Sequence, residues 1–124
     1  METPGKVYIR AYHNIEFSFL GYQKVHRITP VFETYESDAD RDQLCARMFE
    51  LLNVGDDPTY GQPDRRAVEY RMRRNRSLSV GDVIQIGKEG ESTPEFYTVS
   101  SFGFDRIDSP HIVDTATMGT TPIP

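Results

Sequence analysis

Apolar and polar residues alternate along the first part of the chain, and this pattern predicts β-strands. The alternation runs through residues 7–11 and resumes through residues 15–19, with His13 and Asn14 between the two stretches. Side chains of a strand point to its two faces in turn, so a strand with one buried face shows a period of two. The sequence therefore predicts one bulged strand or a short hairpin before Gly21.

A second β-prone run covers residues 26–35. Pro30 lies within it and lacks the backbone amide that a central strand needs. The run therefore predicts an edge strand or a bulged strand.

Residues 75–104 predict a tight turn, a strand, a polar loop and a second strand. Gly81 can adopt a positive φ, and the Asp82 side chain can accept hydrogen bonds from turn amides. The second strand is expected to run from residue 96 to 102 and to close on Phe102-Gly103-Phe104.

The spacing of apolar residues changes to a helical period over residues 37–53. Ser37 is the expected N-cap, with Asp40 as its capping-box partner, and Gly55 suits the end of the helix. The apolar face comprises Leu44, Cys45, Met48, Phe49, Leu51 and Leu52. Such a broad face must lie on the sheet.

The remaining segments complete a single α+β domain over residues 1–108. Residues 56–64 form a loop, residues 67–74 are expected to form a helical turn that leads into an extended stretch, and residues 109–124 a disordered or loosely docked tail. We expect a mainly antiparallel, twisted sheet of about five strands, or a partly open barrel, with one main helix on one face.

Composition narrows the cellular setting. No apolar run is long enough to cross a bilayer, and the N-terminus lacks signal-peptide architecture, so we expect a cytoplasmic protein without a membrane partner. A single cysteine, Cys45, cannot form an internal disulfide, which fits a reducing compartment. On the apolar helix face, it is expected to behave as a small buried hydrophobe.

Charge is distributed unevenly. The net charge is −5, but residues 65–76 hold six arginines and one glutamate, which gives this segment +5. Guanidinium groups suit bidentate contacts with carboxylates and phosphates, and nearby tyrosines could stack on bases. The candidate binding residues are Tyr60, Arg65, Arg66, Tyr70, Arg71, Arg73, Arg74 and Arg76. The alternative is that these arginines pair with acidic side chains of the same chain, such as Asp56, Asp57 and Asp64.

Other clusters give weaker chemical signals. Asp38, Asp40 and Asp42 resemble the start of a calcium loop, but the glycine and the glutamate that this loop requires are missing, so no metal or cofactor is expected. Ser77, Ser79 and Asp82 supply residue types of a hydrolase, yet no nucleophile-elbow pattern surrounds them. Turn chemistry explains them better, so we expect no catalytic residues and no enzyme.

The string Arg76-Ser77-Leu78-Ser79-Val80-Gly81-Asp82-Val83 resembles a motif of YodL-like domains. In these domains, the motif is followed by a strand and by an aromatic-rich strand that ends in a GF or GW pair, matched here by Gly103-Phe104. The resemblance covers roughly residues 46–107 and implies an accessory or host-interaction role in phages, plasmids and conjugative elements. The turn also resembles, more weakly, small β-barrels of the PUA/ASCH type, several of which bind RNA.

These observations predict a small accessory protein that binds a host or self protein through its arginine-rich surface, in the host cytoplasm if a phage encodes it. Self-association into a homodimer stays open. The alternative is a nucleic-acid-binding module, for RNA or single-stranded DNA, that uses the same arginines and tyrosines. We favour the protein partner because nucleic-acid-binding domains are usually basic overall.

Overall fold

The computed structural model describes residues 5–16, 20–88 and 93–113. The described residues form six strands, two α-helices and one short 3-10 turn. In chain order, these are β1 (Lys6–Asn14), β2 (Arg27–Ser37), α1 (Arg41–Val54), the 3-10 turn (Pro58–Tyr60), α2 (Arg65–Met72), β3 (Val83–Lys88), β4 (Glu95–Ser100), β5 (Gly103–Ile107) and β6 (His111–Ile112).

The six strands form one curled, half-barrel sheet in the order β5-β4-β3-β1-β2-β6. All neighbouring strands are antiparallel except β2 and β6, which pair in parallel over two residues. The predicted α+β class with a mainly antiparallel, partly open sheet is therefore confirmed. The prediction of five strands and one main helix was approximate, because β6 and α2 add to each count.

The main core lies between α1 and one face of the sheet. Leu44, Met48 and Leu52 of α1 are buried against Ile9 of β1 and Ile84 of β3, as the helical period predicts. Cys45 is buried in the same cluster, and burial raises the pKa of its thiol to about 12. This buried position agrees with the expectation that Cys45 behaves as a small hydrophobic residue.

The predicted start of the helix at Ser37 was wrong. Ser37 is the last residue of β2, where it pairs with Lys6, and α1 begins at Arg41 after Asp40, whose side chain makes no capping hydrogen bond. The β-prone residues before Ser37 continue the strand to its end. The Asp38 carboxylate forms ion pairs with the Arg41 and Lys88 side chains.

A bulge in β2 accommodates Pro30. The register shifts so that Ala11 faces Phe32 and Tyr12 faces Pro30, which leaves Val31 as the extra residue. The prediction of a bulged strand is therefore confirmed, whereas β2 is not the outermost strand of the sheet, because β6 pairs with it over Arg27 and Ile28. The alternation predicted through residues 17–19 lies outside the described residues.

The last part of the chain differs from the predicted hairpin. The strand expected to run to residue 102 ends at Ser100, and a two-residue turn of Ser101 and Phe102 leads into β5. Gly103 begins β5 with φ of 150°, a conformation that favours glycine. Phe104 packs edge-on against Phe49 of α1, with ring centroids 6.2 Å apart. In the predicted tail, β6 joins the sheet, and residues 114–124 lie outside the described part.

Candidate functional site

The arginine-rich segment folds mainly as α2, and Arg66 in its first turn bonds to β2 and to the loop before the helix. The guanidinium donates to Glu36 Oε2 at 2.8 Å, to Asp64 Oδ2 at 3.0 Å and to Thr34 Oγ1 at 3.0 Å. Asp64 also caps α2, because its side chain accepts from the Arg66 amide. Hydrogen bonding to Arg66 lowers the pKa of the Asp64 carboxyl. Arg66 therefore ties the start of α2 to β2.

Arg71 ties the middle of the segment to the end of α1. Its Nη2 donates to the carbonyl oxygens of Leu52 (3.1 Å) and Asn53 (3.0 Å) and to Ser77 Oγ (2.5 Å). Cations are favoured at the C-terminus of a helix, where backbone carbonyls lack intrahelical partners. Asp56 lies 3.8 Å from the guanidinium and adds an ion pair.

Arg76 pairs with the buried carboxylate of the turn. Its Nη1 and Nη2 donate to the two Asp82 oxygens at 2.6 and 2.8 Å, and this bond raises the pKa of the guanidinium. The Asp82 side chain has no exposed surface and also accepts from the amides of Asn14 (2.8 Å) and Ser79 (2.8 Å). One carboxylate thus fixes β1, the turn and the arginine-rich segment together.

The other motif residues serve the same turn. Gly81 has φ of 95°, and its amide donates to Val99 in β4. The Leu78 side chain is buried, and its backbone exchanges two hydrogen bonds with the Asn53 side chain. Ser79 Oγ accepts from Arg76 at 3.2 Å. The motif therefore builds the junction between α1, α2 and β3.

This geometry gives the hydrolase alternative no support at Ser77, Ser79 and Asp82. Both serine hydroxyls accept from arginines, and the carboxylate is enclosed by donors of the turn. In the ranges that the structure describes, no three His, Cys, Asp or Glu side chains come together as a metal site would require.

Tyr70 cannot serve as a stacking surface, which corrects its assignment to the binding residues. It is fully buried, because Ala67 and Tyr70 form the inward side of α2. Its hydroxyl donates to the Arg76 carbonyl at 2.6 Å and lies 2.7 Å from His13 Nε2, while its ring packs edge-on against Phe32. Burial lowers the pKa of His13 to about 4.

The outward side of α2 remains accessible. Met72 is 76% exposed, and Arg65 and Arg74 are exposed at the two ends of the segment. Arg74 has φ of 64°, a left-handed conformation that is uncommon for a residue with a side chain. Arg73 is half-buried between them. We call Arg65, Met72, Arg73 and Arg74 the α2 surface.

A groove lies next to the start of α2. It has a volume of about 280 Å³ and is bounded by α1, by the loop before α2 and by Glu36 of β2. Met48, Leu51 and Val54 supply apolar lining, and Tyr60, 68% exposed, stands in its wall. Arg66 contributes to the lining although its guanidinium is engaged in ion pairs, so the groove joins the loop to the first turn of α2.

A polar cluster on the sheet face away from α1 was missed by sequence reasoning. Arg10 forms an ion pair with Glu33, which is 5% exposed, and Tyr8 donates to the same carboxylate at 2.6 Å. The Tyr12 hydroxyl donates to Gln85. Alternation places Tyr8, Arg10 and Tyr12 of β1 on one face, but their partners depend on how β1 pairs with β2 and β3, which sequence alone does not give.

Within the described residues, no helix could span a membrane.

Comparison of the chain with protein-family models, with curated proteins and with solved structures gave no match.

Proposed function

We propose that this chain is a small, non-enzymatic accessory protein that binds another protein through the α2 surface and the adjoining Tyr60. The observation that carries the proposal is the 76% exposure of Met72 between exposed arginines. Methionine, arginine and tyrosine are enriched in protein interfaces, whereas lysine and glutamate are depleted there. A basic surface of this kind fits a partner with an acidic rim around an apolar contact.

The different roles of the arginines in residues 65–76 support a compact interface with a protein. Arg66, Arg71 and Arg76 donate to carboxylate or carbonyl oxygens of other segments, so these three stabilise the fold and do not attract ligands. Arg65 is exposed and lies 3.6 Å from Glu69 of the same helix. The basic surface that is left is small, and the whole chain carries −5. Electrostatic steering over a long range requires a larger field, whereas a compact protein contact does not.

The resemblance to YodL-like domains supports an accessory role in a phage or plasmid setting, with the partner in the host cytoplasm. This part of the proposal rests on the motif from Arg76 to Val83. The motif residues build a structural junction. The motif is therefore an argument about ancestry, and the α2 surface is the argument about binding.

Affinity capture from bacterial lysate tests the proposal. The double variant Arg65→Glu and Arg74→Glu reverses two exposed charges and leaves the structural arginines intact. The matched control, Lys6→Glu and Lys24→Glu, makes the same charge change at two other exposed sites. We expect a captured protein that survives nuclease treatment and the control change but is lost with the α2 variant. Retention of every captured protein by the α2 variant would refute this surface.

The alternative, a nucleic-acid-binding module, would bind through Tyr60 and the exposed arginines. It predicts binding to single-stranded probes that weakens steeply as salt is raised. Fluorescence anisotropy with labelled RNA and DNA at low salt tests it, and a Tyr60→Ala variant should weaken binding if the ring stacks on a base. A flat salt response or an absence of binding excludes this alternative.

A further inference from the structure

The groove beside the start of α2 carries more negative than positive charge. Its lining contains four carboxylates and two guanidinium groups, which belong to Glu36, Arg47, Glu50, Asp57, Asp64 and Arg66. Both guanidinium groups already have carboxylate partners in this chain. Arg66 is bonded to Glu36 and Asp64, and Arg47 lies 4.0 Å from Glu36. The groove therefore presents an excess of negative charge to a ligand.

Glu50 and Asp57 are the two carboxylates that account for this excess. In the part of the chain that the structure describes, neither forms an ion pair with a lysine, arginine or histidine side chain. Asp57 Oδ1 accepts from the Thr59 amide at 2.9 Å, and this bond lowers the pKa of the carboxyl, so it is charged at neutral pH. A cation that enters the groove thus meets two carboxylates that this chain leaves without a counter-charge.

The floor of the groove is apolar. Met48 and Leu51 are buried beneath it, and Val54 extends the same surface along α1. The Tyr60 ring stands in the wall and is 68% exposed, so its face is available for contact with a cation. A ligand that fits this lining combines a positive charge with an apolar body.

An inorganic cation does not suit this lining. Calcium and magnesium need several oxygen ligands that converge on one point. Among the described residues, no three His, Cys, Asp or Glu side chains converge in this way. The volume of about 280 Å³ lies at the lower end of ligand cavities, which favours a compact organic molecule.

The wall of the groove is held in place by backbone hydrogen bonds. The Asp57 amide donates to the Val54 carbonyl at 3.0 Å, and the Tyr60 amide donates to the Asp57 carbonyl at 3.1 Å. The Asp64 amide closes the loop by donating to the Gly55 carbonyl at 2.8 Å. Because the loop is already ordered, a ligand loses little affinity to the ordering of this wall.

We propose that this groove binds a small organic cation, made of a short alkyl chain that ends in a guanidinium or ammonium group. The alkyl chain lies over Leu51 and Val54, beside the Tyr60 ring, and the cationic end faces Glu50 and Asp57. This site is separate from the proposed protein contact, because no residue of the α2 surface lines the groove. A simple ligand of this size should bind with a dissociation constant on the order of 1 mM.

Two-dimensional amide NMR on the 14.2 kDa chain tests the site. The probe is n-butylguanidinium, titrated at constant ionic strength, and it should cause saturable shifts at the amides of Gly55, Tyr60 and Gln62. N-butylurea has the same shape without the charge and should bind at least about fivefold more weakly. Guanidinium without the butyl chain should bind at least about tenfold more weakly, because it leaves the apolar floor uncovered. Calcium chloride should cause no saturable shift.

Variants of the two carboxylates test their part in binding. Glu50→Gln combined with Asp57→Asn removes both charges and should weaken binding of n-butylguanidinium at least about fivefold. Asparagine is a good helix cap, so the 3-10 turn keeps its first hydrogen bond. Glu50→Gln alone changes an exposed helix position and should weaken binding about twofold. Asp105→Asn, the control, removes an exposed carboxylate outside the groove and should leave binding unchanged.

Four results would overturn the proposal. They are the absence of saturable shifts at the groove amides, equal affinity for N-butylurea, saturable binding of calcium at the same amides, and equal affinities of the double variant and the Asp105 control. The groove variants leave the α2 surface unchanged, and Arg65→Glu with Arg74→Glu leaves the groove unchanged. Failure of probe binding therefore does not affect the proposed function, and failure of partner capture does not affect the groove.

Discussion

The buried carboxylate of Asp82 should be a main determinant of stability. In Asp82→Ala, the amides of Asn14 and Ser79 lose their acceptor, and the Arg76 guanidinium loses its bidentate partner. A buried donor left without a partner costs about 1 to 3 kcal/mol. Arg76 is 47% exposed and can turn to water, so its loss adds little. We expect Asp82→Ala to lower the free energy of unfolding by about 3 kcal/mol.

Urea denaturation followed by circular dichroism measures this loss. With a slope of about 1 to 3 kcal/mol per molar for a small domain, the midpoint should fall by more than about 1 M. Asp82→Asn keeps one carbonyl acceptor, so its loss should be smaller, about 1.5 kcal/mol. Asp105→Ala, at an exposed carboxylate, is the control and should change stability by less than about 0.5 kcal/mol. If Asp82→Ala behaves like this control, the turn does not depend on the carboxylate.

Three further changes test the packing around the site. The pKa of His13 is about 4 in the folded chain and about 6.5 in the unfolded chain, so the neutral ring stabilises the fold. The free energy of unfolding should have its full value above pH 6.5 and fall by up to about 3 kcal/mol towards pH 4. His13→Gln should reduce this dependence on pH, measured in thermal melts. Gly55→Ala places a Cβ against the Leu51 carbonyl oxygen and 2.9 Å from the Cβ of Ala67, and should cost about 1 to 3 kcal/mol in urea denaturation. Glu33→Gln leaves Arg10 without its charged partner and should cost about 2 kcal/mol, measured in the same way.

Each of these has a result that would contradict it. An unchanged pH slope in the histidine variant would show that this ring stays accessible to protons. A Gly55→Ala variant as stable as the parent would mean that the end of α1 shifts away from the Leu51 carbonyl and from Ala67 at little cost. If raising the salt concentration lowers parental stability as much as the Glu33 change does, the ion pair is screened like a surface pair.

Sequence periodicity was most informative where one face of an element is buried. The apolar face of α1 and the alternation in β1 follow directly from that burial. The sequence was least informative at boundaries, as at Ser37, because a residue that suits a helix cap also suits the end of a strand. Phe102 shows the same difficulty: alternation favours a strand, but the following glycine turns the chain.

The roles of the arginines could not be separated by sequence. A run of identical charges gives no indication of which side chains face carboxylates from distant segments. Glu36 lies 30 positions before Arg66, and the two meet only because α2 packs beside β2. Internal pairing was left as an alternative for the whole segment. In the structure, Arg66, Arg71 and Arg76 bond to other segments of the chain. Arg65 lies 3.6 Å from Glu69 of its own helix.

The attachment of α2 through its arginines has a consequence for how this protein can change over time. Arg66, Arg71 and Arg76 hold the back of the segment, while Met72 and Arg74 on the outside contribute little to that attachment. Substitutions on the outside can therefore accumulate with little loss of foldability. If this surface binds a partner as proposed, a lineage could exchange that partner for another by altering a few accessible side chains, while the same three guanidinium groups keep the helix in place.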